Sequence, residues 1–576
     1  MTASALGLST TAARWRLRNP RARDVYERQL AHLPPIVGTV LAARGIDTRE
    51  KAVAFYKPDL APELDPFLLT DMRRAVDRVH AAIKGGETIA LYGDYDADGV
   101  TSLATLTRGL QPLGAITVPF IPDRFREGYG LDSGALTRLQ EAGATLVLTA
   151  DCGISNVQEV EHANAIGLDV IILDHHTVPA AMPRAHAVVN PMRPDSPPEF
   201  RGLAAVGVVF HFLRALYEDF GRTLAESELL ATVALGTVAD VAPLDGENRR
   251  LTWLGMRDMG KNAPPGLEAL MSVARANPAK VTTDTFGYAL GPRINAAGRM
   301  QHAKLALDLM LADRIFEARE LAERLDQLNR QRQDETERCL NIARELAGYS
   351  DDPLLMIGSP DFRLGIVGLV AGRLAEERNR PAIAFCPKDE HTLTASARSI
   401  PAFDIVSAIR KEETLLEKHG GHRAAAGFTV RNENLDLLRD HLVNTAAELL
   451  DEQTLRPIVD IDAEVSLRDI AGYEIRGLMQ FEPCGQGNPR PVLLARNVVL
   501  KNSKAVGADG SHLKMQLRDG AATWPAIAFR KAGLDLDERV DVVVQLQHGW
   551  LGDALELEVL DVAPSAEGRP LERRSG

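Results

Sequence analysis

The chain has 576 residues and a net charge of −13, from 66 Lys and Arg against 79 Asp and Glu. That length allows three or four domains, each with its own core, and the acidic balance weighs against long non-specific duplex binding while leaving room for a local basic groove. No apolar run is long enough to span a bilayer, and Cys152, Cys339, Cys386 and Cys484 lack the paired spacing of a disulfide framework or zinc site, which fits a reducing cytoplasm.

In chain order, residues 1–60 form an N-terminal segment whose basic stretch (Arg14, Arg16, Arg18, Arg21, Arg23) lacks the apolar core of a secretory signal and reads as a solvated arm. From about residue 85 to 190, the apolar runs ETIALY, ITVPFI, ATLVLTA and LDVIILD alternate with helical stretches such as Val100–Leu110 and Asn156–Ala165. That alternation predicts a parallel α/β sheet. Two apolar helical patterns follow, Ala204–Phe220 and Glu228–Val238, the second ending close to Asp240. Ala303–Ala347 is charged, has helical periodicity and contains neither Pro nor Gly, so it reads as a long helix bridging two lobes. A second α/β region opens near Pro353 with LLMIG, a helix over Ile366–Glu377 and PAIAFC, and runs to about Leu450. After Arg456 the pattern changes to short strands broken by Gly and Asn: IVDIDAEV, VLLARNVVL, HLKMQLRD, WPAIAFR, VDVVVQLQ and LELEVLDV. Strands without long intervening helices suggest a small barrel, with the OB-fold as the natural candidate. The tail from Ser565 reads as disordered.

The chemistry lies in four Asp/His clusters within the first 240 residues: Asp94, Asp96 and Asp98 in IALYGDYDADG, Asp151 in TLVLTADCG, Asp174-His175-His176 in VIILDHH, and Asp240 in ALGTVADVAPL. An open parallel sheet gathers the carboxyl ends of its strands at one edge, where such folds bind ligands. Carboxylates and imidazoles collected there repel one another unless cations lie between them, and two divalent metals are a standard device for cleaving a phosphodiester. Asp94-Tyr-Asp96-Ala-Asp98-Gly99 also matches the first half of an EF-hand loop, but the twelfth position is Thr105 and a strand precedes it, so that reading fails. One of the three carboxylates could cap the following helix. Three in five residues carry too much negative charge for capping alone. Asp151 alone could be a turn residue and Asp240 a helix cap; both gain weight from the ensemble.

The four clusters are similar to the motifs of the DHH phosphoesterase superfamily. DRFREGYGL, GPRINAAGRM, SARSI and GGHRAAAGF resemble, more narrowly, its RecJ family of single-strand-specific 5′→3′ DNA exonucleases. The likeness runs from roughly Glu87 to Phe428, with an echo in FEPCGQGNPRP. It implies a DHH domain over 61–300, a connecting helix over 301–348, a DHHA1-type lobe over 349–452, an OB-fold nucleic-acid-binding domain over 453–565 and a tail over 566–576. It implies metal ligands at Asp96, Asp98, Asp151, His175 and Asp240, with Asp94 binding a metal or orienting the site, and Mn²⁺ or Mg²⁺ as the two cations. His176 is expected to face the scissile phosphate or to lie behind the ligands, and Asp98, His176, Arg299 and His422 are the expected catalytic set. Arg124, Ser396, Arg398 and His422 are expected to bind substrate, the first three by holding its 5′-phosphate end and His422 near the phosphate with Arg299. Two departures stand out: Arg363 occupies a position where histidine is expected, and Cys152 one where asparagine is familiar.

The function so implied is removal of 5′-mononucleotides from single-stranded DNA in repair and recombination. No Walker-type loop is present, so hydrolysis should need no nucleoside triphosphate. Trp524, Phe529 and Trp550 are candidate base stackers, or else barrel core. A small-substrate DHH enzyme, such as an oligoribonuclease, cyclic-dinucleotide phosphodiesterase or pyrophosphatase, is the alternative, though a dinucleotide needs no barrel platform. A degenerate scaffold that keeps the fold without metals is disfavoured because every expected ligand position holds Asp or His. A helicase and a single-strand-binding protein are partners implied by the resemblance alone. The chain is expected to be a cytoplasmic monomer away from membranes.

Overall fold

The structure, a computed structural model, describes residues 13–507, 510–533, 538–549, 554–565 and 572–573. Two compact units make up the chain: residues 62–451 with 485–488, and residues 1–61 with 452–484 and 489–576.

The first unit contains the parallel sheet expected from the alternating pattern. Its strands are β1 (Thr88–Gly93), β2 (Ile116–Phe120), β3 (Ala144–Ala150), β4 (Asp169–Leu173) and β5 (Ala187–Val189), in spatial order 2-1-3-4-5. All four pairings are parallel. Both faces of the central strands are apolar because both are covered. Ile89, Leu91, Leu146, Leu148, Ile171 and Leu173 pack on one side with Val100, Leu103 and Phe212. Ala90, Tyr92, Val147, Val170 and Ile172 pack on the other with Leu136 and Val160. The order reverses between β1 and β3, and such a switch point opens a crevice beyond the carboxyl ends of its strands. Asp94 and Asp151 are the first residues past those two ends.

The expected helix over Ala303–Ala347 is two helices, Lys304–Leu311 and Ile315–Ala347. No local breaker separates them. Arg108, distant in sequence, donates to the carbonyls of Met310 and Ala312 and satisfies the end of the first helix. The same unit holds a second sheet in spatial order 9-10-8-7-6, from β6 (Leu355–Gly358), β7 (Ala382–Pro387), β8 (Thr392–Arg398), β9 (Leu416–His422) and β10 (Ala425–Arg431). The helix Val367–Arg378 packs against it.

In the second unit, Leu493–Val506, His512–Asp519, Ala522–Ala528, Leu555–Pro564 and Arg539–His548 pair in sequence around a sheet, and the last pairs back with the first, closing a five-stranded barrel. The solvated arm is a correction. Arg14–Leu17 is a strand parallel to Ile458–Ile461, with Arg16 paired to Asp460 and Arg18 to Asp462. The apolar run PIVGTVLAA forms a helix that buries Val37, Val40 and Leu41 in the barrel's core cluster. Of the expected tail, Glu572–Arg573 pairs with Arg16–Leu17, and residues 566–571 and 574–576 lie outside the described residues. Among the described residues, no helix is long and apolar enough to cross a membrane.

Candidate metal centre and phosphate site

The turn after β1 is tightly determined. A Cβ on Gly99 would lie 2.5 Å from the carbonyl oxygen of Asp94 and 2.6 Å from its nitrogen, so only glycine lets the helix Ala97–Leu110 start this close to the strand. Asp96 is that helix's N-cap: its Oδ1 accepts from the N–H groups of Asp98 and Gly99 at 3.0 and 3.2 Å. One of the three carboxylates does cap, but with a single oxygen. Buried Asp98 accepts from the N–H groups of Ala205 and Val206 at 2.8 and 2.9 Å, at the start of the apolar helix Ala205–Asp219. Buried Asp94 keeps its Oδ1 without any hydrogen-bond partner.

Asp151 follows β3 with a left-handed backbone, φ +65°, an unusual conformation for a non-glycine residue and one that clusters at functional sites. After β4, the fully buried Asp174 acts as a brace. Its carboxylate accepts from the N–H groups of Ile154, His175 and His176 and from His176 Nδ1, the last at 2.7 Å. His175 Nε2 lies 3.2 Å from Asp151 and 3.8 Å from Asp98, and its Nδ1 lies 3.8 Å from Asp240. Asp240 caps the C-terminus of Leu230–Ala239, where the helix dipole is also negative. Val241, the next residue, is left-handed at φ +61°, an outlier for a β-branched side chain.

Three sets of ligand atoms each fall within 4.8 Å of one another: Asp94, Asp96 and Asp151; Asp151, His175 and His176; and Asp98, His175 and Asp240. Asp151 and His175 each belong to two sets. All six predicted ligand positions therefore meet, together with His176. Burial first, and then the neighbouring carboxylates, hold the pKa values of Asp94, Asp151 and Asp240 well above the ordinary range and push Asp98 up to about 7. Burial, followed by the charge of His176, lowers His175 to about 4. For His176, burial disfavours the imidazolium, but the Asp174 hydrogen bond and the surrounding carboxylates outweigh it and raise the pKa to about 9. The orienting role of Asp174 was not among the predicted site residues; its place directly before the two histidines is the signal that could have found it.

A basic group faces this acidic one. The Arg124 guanidinium lies over the Tyr95 ring, 4.7 Å from its centroid. Arg299 donates to the carbonyl of Gly365 at 3.3 Å, and burial, then Arg124, Arg398 and Arg332, lower its pKa to about 9. Arg398 donates to Ser396 Oγ at 3.1 Å and to the Ala397 carbonyl at 2.8 Å; its pKa is lowered by burial and then by Arg124. Gly368 brings the helix Val367–Arg378 against both side chains: a Cβ there would lie 3.0 Å from Ser396 Oγ and 3.1 Å from Arg398 Nη2. His422, at the end of β9, has its pKa lowered by partial burial and then by Arg398 and His176. Arg363 is ion-paired with Glu335 at 3.1 Å. Buried Cys152 sits beside Asp151. In the barrel unit, Trp524 is anchored by its Nε1 to the Leu467 carbonyl and packs on the core, whereas Phe529 meets His512 edge-on. Trp550 lies outside the described residues.

A switch-point crevice lined by aspartates and two histidines, faced by Arg124 and Arg299 of the same lobe and by Arg398 of a second α/β lobe, defines a phosphoesterase architecture of the DHH type. Family profiles agree segment by segment: the DHH family N-terminal domain matches residues 88–237, the DHHA1 domain 352–448 and the RecJ OB domain 461–558. The chain belongs to the RecJ family. It is 36% identical over 524 residues to the single-stranded-DNA-specific exonuclease RecJ of Escherichia coli K12, covering 87% of this chain and 89% of that one. It is 35% identical over 525 residues to the protein of the same name from Bacillus subtilis, covering 90% of this chain and 66% of the longer relative. The crystal structure of RecJ from Thermus thermophilus in complex with Mn²⁺ superposes with a TM-score of 0.82 at 30% identity, over 96% of this chain and 80% of that one. The Mg²⁺ complex of the same protein superposes with a TM-score of 0.77 at 28% identity, over 98% of this chain and 80% of that one.

Proposed function

We propose that the chain is a metal-dependent exonuclease of single-stranded DNA that removes 5′-mononucleotides in the 5′→3′ direction, serving repair and recombination. The observation that carries this reading is the opposition of an acidic and a basic group: the Asp/His set around Asp151 and His175, and the Arg124–Arg299–Arg398 set.

The acidic residues fit divalent cations. Asp94 Oδ1 and His175 Nε2 are buried without hydrogen-bond partners, and carboxylates whose mutual repulsion holds protons on them are relieved by a cation. Mixed carboxylate and imidazole donors suit Mn²⁺, and carboxylate with water suits Mg²⁺. Asp94, Asp96, Asp98, Asp151, His175 and Asp240 would hold two such ions, which supply Lewis acidity towards the phosphodiester and make water a better nucleophile near neutral pH. His176, oriented by Asp174 through its Nδ1, would donate to a phosphate oxygen from its other ring nitrogen. Arg299 adds a planar guanidinium fork suited to phosphate, with His422 close by. Arg124, Ser396 and Arg398 favour a terminal 5′-phosphate over an internal one, which gives exonucleolytic polarity. The barrel provides a platform for single-stranded substrate.

Duplex substrates would require a helicase and a single-strand-binding protein as partners. One chain supplies both α/β lobes, which supports a monomer, and the four buried free thiols fit a reducing cytoplasm. The test is digestion of single-stranded oligonucleotides, labelled at either end, with Mn²⁺ or Mg²⁺, beside a blunt duplex. Asp98→Ala is the inactive control. Early release of 5′-labelled mononucleotide with the duplex spared is the expected result. Survival of long strands while dinucleotides are hydrolysed would replace this reading with a small-substrate phosphodiesterase.

A further inference from the structure

The first turn of the helix Ala97–Leu110 presents backbone N–H groups that have no partners within the helix. Asp96 Oδ1 takes those of Asp98 and Gly99. The N–H of buried Ala97 is taken from outside: Asn295 Oδ1 accepts it at 2.9 Å. Asn295 lies on the helix Gly291–Met300, which also presses on the same turn at Gly298, where a Cβ would be 2.5 Å from the Tyr95 carbonyl oxygen. One turn further along from Asn295, Arg299 donates to the Gly365 carbonyl, and a Cβ on Gly365 would be 2.2 Å from the Arg299 carbonyl oxygen. Arg293, near the start of this helix, is held by Asp326 at 2.8 Å. A single helix therefore touches the acidic turn through residue 295 and the second lobe through residue 299.

We propose that Asn295 is a positioning residue for the metal centre: by accepting the Ala97 N–H it spares the second oxygen of Asp96 for a cation and sets the acidic turn one helical turn from Arg299. This rests on the reading of the acidic set as a metal centre. Without the amide oxygen, the Ala97 N–H is either left orphaned or turns to the Asp96 carboxylate and competes with the ion. Groups that orient ligands in this way typically contribute about 10–100-fold to metal affinity.

The test is Mn²⁺ titration of the full chain by calorimetry, alongside steady-state hydrolysis of single-stranded DNA. Asn295→Leu keeps the branching at Cγ, with bulkier methyl groups, and removes the acceptor; Mn²⁺ affinity is expected to fall at least about tenfold. Its kcat deficit should be recovered by raising Mn²⁺, with KM for DNA unchanged. Asn295→Asp keeps an acceptor and should stay within about threefold of wild type. Equal loss in both variants, or wild-type Mn²⁺ affinity in Asn295→Leu, overturns the proposal. Should Asn295→Leu not fold, Asn295→Ser against Asn295→Asp makes the same comparison, since the serine hydroxyl is one atom shorter. Failure of the wild-type chain to bind Mn²⁺ is a separate outcome and overturns the functional reading instead.

Discussion

Asp98 makes the dependence of Mn²⁺ affinity on pH calculable. Its carboxyl is buried, and burial followed by repulsion from Asp96 outweighs the two backbone N–H groups it accepts, pushing its pKa up to about 7 from 3.8. A cation binds the ionised form, so at pH 6 the proton must first be removed. One pKa unit corresponds to about 1.4 kcal/mol, or about tenfold in affinity. At pH 8 that cost disappears. Asp94, Asp151 and Asp240 are raised as well, so tenfold is the smallest loss expected. The sign for the metal-free protein is opposite. A carboxyl whose pKa is raised in the folded state gives stability that is complete below the unfolded value of about 3.8 and is lost as pH rises through about 7. The metal-free protein should therefore melt lower at pH 8 than at pH 6, and Mn²⁺ should raise Tm more at pH 8. The sequence pI of about 5.6 sets the lower end of the range. Calorimetric titration of chelator-treated protein at pH 6, 7 and 8, with melting curves at fixed Mn²⁺, measures both trends. Equal Mn²⁺ affinity at pH 6 and 8 would refute the reasoning.

Asp174→Asn should cost about 2–4 kcal/mol in chemical denaturation, because one amide cannot accept from all four N–H groups that the carboxylate holds. The same variant should move the His176 titration down from about 9 towards 6.5, read by NMR. Arg398→Ala should weaken use of 5′-phosphorylated strands by about 10–100-fold while barely changing 5′-hydroxyl strands, matching a charge-assisted bond of about 1.5–3 kcal/mol; equal loss on both would remove Arg398 from the 5′ pocket. Gly99→Ala forces a Cβ onto the Asp94 backbone and should cost about 1–3 kcal/mol with Mn²⁺ binding weakened; a melting curve and a Mn²⁺ titration decide.

Sequence exposed those parts of the fold in which one local pattern decides the outcome. The apolar runs at 88–93, 144–150 and 169–173 are covered on both faces and stand out as strands. Their Asp and His residues stand out because charge directly after such a run has few structural uses. Long-range satisfaction is less visible. The break between Lys304–Leu311 and Ile315–Ala347 depends on Arg108, about 200 residues away, and nothing in the local sequence marks it. The basic N-terminal stretch reads as solvated until Asp460 and Asp462 are placed beside Arg16 and Arg18. Asp174 resembles its neighbours in sequence, and only its four N–H contacts separate the brace from the ligands.

The two charged groups remain distinct because the protein secures each by other means. Among the described residues, no ion pair within 4.0 Å joins Arg124, Arg299 or Arg398 to a carboxylate. Arg124 lies on Tyr95, Arg299 is held by the Gly365 carbonyl, and Arg398 by Ser396 and the Ala397 carbonyl. On the acidic side, Asp98 is held by Ala205 and Val206, Asp96 by its own helix, and Asp174 by Ile154 and the histidines. Direct pairing would relieve both sets of repulsion, yet each group is held instead by the contacts just named. Asp151 and Val241 show further cost in their left-handed conformations. Stability forgone on both sides of a crevice is the expected mark of a preorganised site: a phosphodiester between cations and guanidiniums compensates both groups at once, and neither must reorganise to receive it.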